Sequence, residues 1–225
     1  MRRLIVEASP GVVAPMRIAL LPGAGHTPED FVREGFAEAV CARGLALDLE
    51  FVAPDMKHLL DRSVLESLER EVVAPARAVG CRSLWLGGVS LGGYIALAYA
   101  QRRPADLNGL CLLAPYLGNR MITGEIARAG GVRSWCPGTI SDDDEERRIW
   151  SFIRSLPAPG VTIGLGVGRR DRFRDGQGLL ADALPARAVN VVSGGHEWPV
   201  WRQLWELFLD GLAYGGPLHA GTPGD

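Results

Sequence analysis

The sequence predicts an α/β architecture, a mostly parallel central sheet flanked by helices, and three observations carry that expectation. Short apolar runs rich in β-formers alternate with helical patterns along most of the chain, as parallel strands linked by crossover helices do. The run Gly109-Leu-Cys-Leu-Leu-Ala114 is apolar throughout, as suits a strand covered on both faces, and Pro115 stops it. The 225 residues, 47% hydrophobic and 22% charged, suit one domain spanning 1–225 by the prior of about 150 residues per domain, and are too apolar for a disordered chain.

Taken in order, residues 17–21 end in Pro-Gly and read as a buried strand. Residues 29–41 set Phe31, Phe36, Ala39 and Val40 at helical spacing, with Thr27 as N-cap and Pro28 at the first helical position. Residues 46–52 alternate, with Leu47, Leu49 and Phe51 on one side, which is a strand. Residues 58–79 fit a longer amphipathic helix, interrupted or ended near Pro75. Ser83-Leu-Trp-Leu-Gly87 reads as a strand bounded by glycine, residues 91–102 as a helix ending before Pro104, and residues 109–114 as the next strand.

Regularity weakens over 115–157, which reads as a small insertion or lid. Within it, Ser141 with Asp144 three positions on has the form of a capping box, and Ile149, Phe152, Ile153 and Leu156 fall on one helical face. The acidic run 142–146 is therefore expected as the first turn of that helix, favoured by its dipole, rather than as a metal or substrate site. Residues 161–167 resume as a strand, 178–184 as a short helix, 187–192 as the last strand and 199–213 as a helix. The Gly/Pro-rich end, 215–225, is expected to be loose and flexible.

Composition excludes several classes of function. A net charge of −2 with interspersed signs gives no extended positive field, so neither nucleic acid nor an anionic membrane is an expected partner. No apolar run approaches the ~20 residues of a membrane span, and Glu7, Ser9 and Pro10 interrupt the start where a signal peptide needs an apolar stretch, so a cytoplasmic location is expected. Cys41, Cys81, Cys111 and Cys136 form no C-x-x-C, which leaves zinc and thioredoxin-like chemistry unsupported and reduced, mostly buried thiols expected. Lys57 is the only lysine and follows Met56 rather than glycine, so there is no Walker A loop; nor is there a G-x-G-x-x-G. No cofactor and no metal are expected.

Gly88-Val89-Ser90-Leu91-Gly92 stands between an apolar strand and a helix. A strand turning sharply into a helix needs glycines near the serine to avoid collisions, and leaves the hydroxyl at the strand's C-terminal end beside a helix N-terminus. The pattern alone arises by chance, and a structural serine in a glycine-rich turn is the bland alternative. Two further residues stand directly past strands. Asp171 lies in Gly168-Arg-Arg-Asp171 and His196 in Gly194-Gly-His-Glu-Trp198.

On these three motifs and their order, the chain resembles the α/β-hydrolase superfamily, over roughly residues 17–213. The resemblance implies an α/β-hydrolase fold with a short lid, Ser90 as nucleophile, His196 as base and Asp171 as the triad acid, with Asp175 the nearby substitute. The chemistry agrees independently: a serine hydroxyl needs a neighbouring base, and of the four histidines His58 opens a helix and His219 sits in the tail. An oxyanion needs preorganised donors. The N–H of Leu91 is one; the second is expected from Pro22-Gly-Ala-Gly-His26, with Ala24 first and Gly25 next. Pro22 stands where the family often has histidine, which leaves that donor open.

Several side chains are candidates for a substrate pocket: His26, Tyr116, Met121, Trp135, Trp150 and Trp198. His26 also reads as an ordinary loop histidine, and Trp198, Trp201 and Trp205 recur at helical spacing, which is more often a core stripe. The expected function is a serine hydrolase of small soluble carboxylic esters, thioesters included, through an acyl-enzyme. Acyl transfer and lyase chemistry use the same triad, and a non-catalytic binding or scaffold member of the fold is the alternative of another class. The sequence does not set the oligomeric state, and a homodimer stays open.

Overall fold

The computed structural model describes residues 1–55, 57, 63–156 and 161–213. Among these, strands β1 (Arg2–Val6), β2 (Met16–Leu21), β3 (Leu47–Ala53), β4 (Ser83–Val89), β5 (Gly109–Leu113), β6 (Thr162–Gly168) and β7 (Val189–Val192) form one sheet. Their order is β1-β3-β2-β4-β5-β6-β7. All neighbours pair in parallel except β1, which runs antiparallel to β3 with Leu4 opposite Phe51. β4 lies between β2 and β5, so the turn that ends it sits near the middle of the sheet.

Alternation along the strands sends neighbouring side chains to opposite faces. Ile18 and Leu20 of β2 join Leu49, Phe51, Val89 and Leu113 in one cluster, under α1 (Pro28–Arg33), α2 (Phe36–Ala42) and the long C-terminal helix Trp198–Ala213. Ala19 and Leu21 join Leu84, Leu86, Leu110 and Leu112 in the other, under the helix that follows Ser90 (Leu91–Arg102). On β3 the residues between the apolar ones are Asp48 and Glu50, buried but paired with Arg17. A buried carboxylate stays charged only where such partners offset its desolvation.

Several elements depart from the sequence expectation. Strand β1 carries no clear signal, because it is an edge strand with only Leu4 and Val6 half-buried. The helix expected over 29–41 breaks at Gly35, whose φ of +79° ends α1 and starts α2. Thr27 and Pro28 stand where expected, and the Thr27 N–H donates to Asp30 Oδ2 at 2.7 Å. The helix expected over 58–79 is described from residue 64. It comprises α3 (Val64–Leu68), a π-helical turn (Glu69–Val73) and α4 (Ala74–Ala78). Pro75 has no N–H to give to the fourth carbonyl back, and the wider turn just ahead of it accommodates the gap.

Leu91–Arg102 is α5. The 115–157 segment holds a helix that sequence periodicity missed, α6 (Arg120–Arg128), capped by Asn119, whose side chain accepts from the N–H groups of Met121 and Ile122. The next helix, α7 (Glu145–Arg154), begins one residue after Asp144. Asp144 caps it by accepting from Arg147 N–H at 3.0 Å. Ser141 is therefore not the cap: it lies in the preceding turn with Asp142 and Asp143, and only Glu145 and Glu146 of the acidic run occupy the first helical turn. Helix α8 (Arg174–Ala183) starts four residues before the expected 178, and β7 starts two after the expected 187, behind a short 3₁₀ turn. Trp198–Ala213 is α9. The expected loose end, 215–225, lies outside the described residues.

Candidate active site

Ser90 directly follows β4 with φ 52° and ψ −115°, a conformation side chains rarely adopt. The surroundings enforce it. Its N–H donates to Leu113 O at 3.2 Å, and its carbonyl accepts from Gly93 at 3.1 Å and Tyr116 at 3.0 Å. The flanking glycines are required by close approach: a Cβ on Gly92 would stand 2.0 Å from Leu21 O, and one on Gly88 would stand 2.2 Å from the same atom. Helix and strand can meet at this angle only because both side chains are absent.

The sheet brings the other two side chains to the same edge. β6 ends in Gly168, and β7 lies beside it, so the two following loops run together: Arg169 N–H donates to Val192 O and Arg170 N–H to Gly194 O, both at 2.9 Å. Asp171 Oδ2 meets His196 Nδ1 at 2.7 Å, and His196 Nε2 meets Ser90 Oγ at 2.9 Å. Burial pushes the Asp171 carboxyl up. The hydrogen bonds from His196 and from the Phe173 N–H (2.8 Å to Oδ1), with the imidazole's charge and Gln177, outweigh it and hold the group below the ordinary carboxylate value. An ionised carboxylate only accepts, so Nδ1 carries the ring proton and Nε2 is left to accept from the serine hydroxyl.

Leu91 begins α5, so its N–H precedes any intrahelical acceptor. The loop after β2 lies against Ser90: a Cβ on Gly23 would touch Ser90 Cβ and His26 Cδ2, each at 3.3 Å. The loop turns with His26 N–H donating to Gly23 O, and Ala24 and Gly25 stand exposed in that turn, Gly25 at φ +79°. His26 packs edge-on against Trp198 at 5.1 Å and Trp201 at 5.7 Å. Tyr116 packs against Phe173 at 5.3 Å.

Three residues expected in the pocket do not reach it. Trp135 and Trp150 are buried in the core cluster of the other sheet face, their indole N–H groups donating to Glu125 and to Leu117 O, so their bulk serves packing. Met121 projects into solvent, 81% exposed. Asp175, the substitute acid, is exposed beside Arg174 and away from the imidazole's partners. His58 and His219 lie outside the described residues. Phe173 and Trp201, which sequence reasoning left unassigned to the site, each pack edge-on against the imidazole, with centroids 5.0 Å away. For Trp201 the signal was its place in the tryptophan stripe, in which Trp201 and Trp205 are both buried in the core and the Trp205 N–H donates to Phe36 O. Nothing local marks Phe173. Among the described residues no group of three or more His, Cys, Asp or Glu side chains is placed to hold a metal ion, and no helix is long and apolar enough to cross a membrane.

A family model described as "Alpha/beta hydrolase family" matches residues 18–222. Among curated proteins none matches the sequence. Similar solved structures include a monoacylglycerol lipase of Paleococcus ferrophilus, 15% identical over 95% of this chain and 98% of that one, TM-score 0.59. A thermophilic esterase of Thermogutta terrifontis is 16% identical over 97% and 94%, TM-score 0.56. A thermostable carboxylesterase from a metagenomic library is 12% identical over 95% and 84%, TM-score 0.61. At these identities the likeness is one of fold.

Proposed function

Since the chain belongs to the alpha/beta hydrolase family, we propose that it is a serine hydrolase cleaving carboxylic esters, thioesters included, through an acyl-enzyme. The observation that carries this reading is the unbroken line Ser90 Oγ, His196 Nε2, His196 Nδ1, Asp171 Oδ2, with contacts of 2.9 and 2.7 Å. Ser90 Oγ attacks the acyl carbon while its proton passes to Nε2. Asp171 holds the ring in the accepting tautomer and stabilises the imidazolium. Charge developing on the carbonyl oxygen meets the N–H of Leu91 at the start of α5 and a donor from the Gly23–Ala24–Gly25 turn, each such donor worth about 10² to 10³ in rate. The imidazolium then protonates the leaving alcohol or thiol. In the second half-reaction a water, deprotonated by His196, releases the acid and restores Ser90.

A fluorophosphonate probe tests the nucleophile directly: stoichiometric modification at Ser90 is the expected result, and folded protein that stays unlabelled would overturn the reading in favour of a non-catalytic member of the fold. p-Nitrophenyl esters of graded chain length, run beside acyl-CoA thioesters, then sort esterase from thioesterase activity.

A further inference from the structure

Beside these residues, between the loop after β5 and the loop after β6, lies a cavity of about 220 Å³ whose lining includes Tyr116, Asn119, Arg120, Thr123, Arg172 and Phe173. Its inner wall is shared with the candidate active site. The N–H of Tyr116 donates to the Ser90 carbonyl at 3.0 Å, and the Phe173 ring stands edge-on to His196. Two of its lining residues are arginines that the fold leaves available. Arg120 and Arg172 are both exposed, and among the described residues neither is joined to a carboxylate; Arg172 lies over the Phe173 ring instead, 4.8 Å from its centre. Arg169 and Arg170 stand in the same loop as Arg172, and Arg174 begins α8, on a chain whose net charge is −2.

The nearby carboxylates are otherwise engaged. Asp175 lines the cavity but is exposed and sits 3.5 Å from Arg174. Glu146 accepts from the Asn119 N–H at 3.1 Å, from Asn119 Nδ2 at 2.7 Å and from the Tyr116 hydroxyl at 3.5 Å. Among the described residues, two guanidinium groups thus line one small cavity without a carboxylate partner, and a planar carboxylate suits their forked donors.

We propose that this cavity receives a carboxylate carried by the substrate, held by Arg120 and Arg172, so that the enzyme selects esters of anionic acids or anionic alcohols over neutral ones. The proposal rests on the hydrolase reading of the adjoining site and names its substrate class. The excess of arginine over residues 169–174 would also draw such substrates in, an effect that salt weakens.

The test pairs substrates that differ only in the charged end. Mono-4-nitrophenyl adipate against 4-nitrophenyl hexanoate places the carboxylate in the acyl part; 4-carboxyphenyl acetate against phenyl acetate places it in the leaving group. In one of these arms the anionic ester should have a kcat/KM higher by about tenfold, mostly through KM, as a charge-assisted bidentate contact provides. Arg120→Gln and Arg172→Gln should each lower that ratio severalfold, as should high salt. Adipate binding, followed by calorimetry on the intact protein, should weaken in both variants. Equal turnover of anionic and neutral esters in both arms, or ratios unmoved by both substitutions, would overturn the proposal while leaving the hydrolase reading standing. Adipate bound by the wild type and lost in the variants, with no ester turned over, would support the cavity and sink the hydrolase reading instead.

Discussion

Phe173 grips His196 in two ways at once. Its ring meets the imidazole edge-on, with centroids 5.0 Å apart and planes at 89°, and its backbone N–H donates to Oδ1 of the aspartate whose Oδ2 holds the imidazole. Trp201 also meets the imidazole edge-on, with centroids 5.0 Å apart. The ring is thus fixed in position by packing and in tautomer by charge, which is the preorganisation that the proposed proton transfer at Ser90 needs.

Removing the hydroxyl separates chemistry from folding. Ser90→Ala should abolish nearly all ester turnover and leave the melting temperature within a few degrees. Ser90→Gly should be equally inactive but more stable, because glycine accepts a φ of 52° without strain. Relief of about 1 kcal/mol raises Tm by roughly 2–4 °C in a chain of this size. Calorimetry of the two variants checks this, and a Ser90→Gly protein less stable than Ser90→Ala would contradict the strain argument.

Acid should act on the site in a defined sense. Against the opposing effect of burial, the hydrogen bonds from His196 and the Phe173 N–H hold Asp171 below the ordinary carboxylate value, so it stays ionised at and above that value and keeps the His196 ring oriented. Asp171→Asn should cost roughly 10⁴ in kcat by freeing the wrong tautomer. A carboxyl lowered in the fold contributes stability present above its unfolded value of about 3.9 and lost as pH falls through the folded value. The Tm gap between wild type and Asp171→Asn should therefore narrow below about pH 4. A gap that widens there would reverse the sign.

Two glycines should respond in opposite directions to the same added methyl. At Gly92 a Cβ would stand 2.0 Å from Leu21 O and 2.5 Å from Leu21 C, backbone that cannot yield without disturbing the β2–β4 pairing. Gly92→Ala should cost about 3 kcal/mol or more and lower Tm by roughly 6–12 °C. Gly124, inside α6, has nothing within 4 Å of its Cβ position, so Gly124→Ala should stabilise by about 0.5–1 kcal/mol.

Thiol reactivity should follow burial. Cys41 and Cys136 are exposed, contrary to the expectation of mostly buried thiols, and should react with Ellman's reagent at once in the native protein. Cys81 is half-buried, its thiol pushed up by burial and its Sγ 3.3 Å from Ser83 O, and should react slowly. Burial raises the Cys111 thiol far more, and it should react only on unfolding. Rapid modification of all four in native protein would contradict the packing of β5.

What could be read along the chain was what local chemistry encodes. Apolar runs marked β2, β4, β5 and β6 because both faces of those strands are covered, and β3 showed through the alternation of Leu47, Leu49 and Phe51. Ser90, Asp171 and His196 drew notice because each stands just past a strand, and a parallel sheet collects the ends of its strands at one edge. Edge strand β1 and the short helix α6 were missed, since neither presents a full apolar face.

Which aromatic faces which neighbour was decided only in three dimensions. Trp198, Trp201 and Trp205 share one helical spacing, yet the first flanks His26, the second His196, and the third is sealed under Phe36. Trp135 and Trp150 went to the core, while Phe173 reached the imidazole because the loop after β6 is hydrogen-bonded to the loop after β7. Periodicity specifies a face of an element; only the packing of distant elements determines what that face meets.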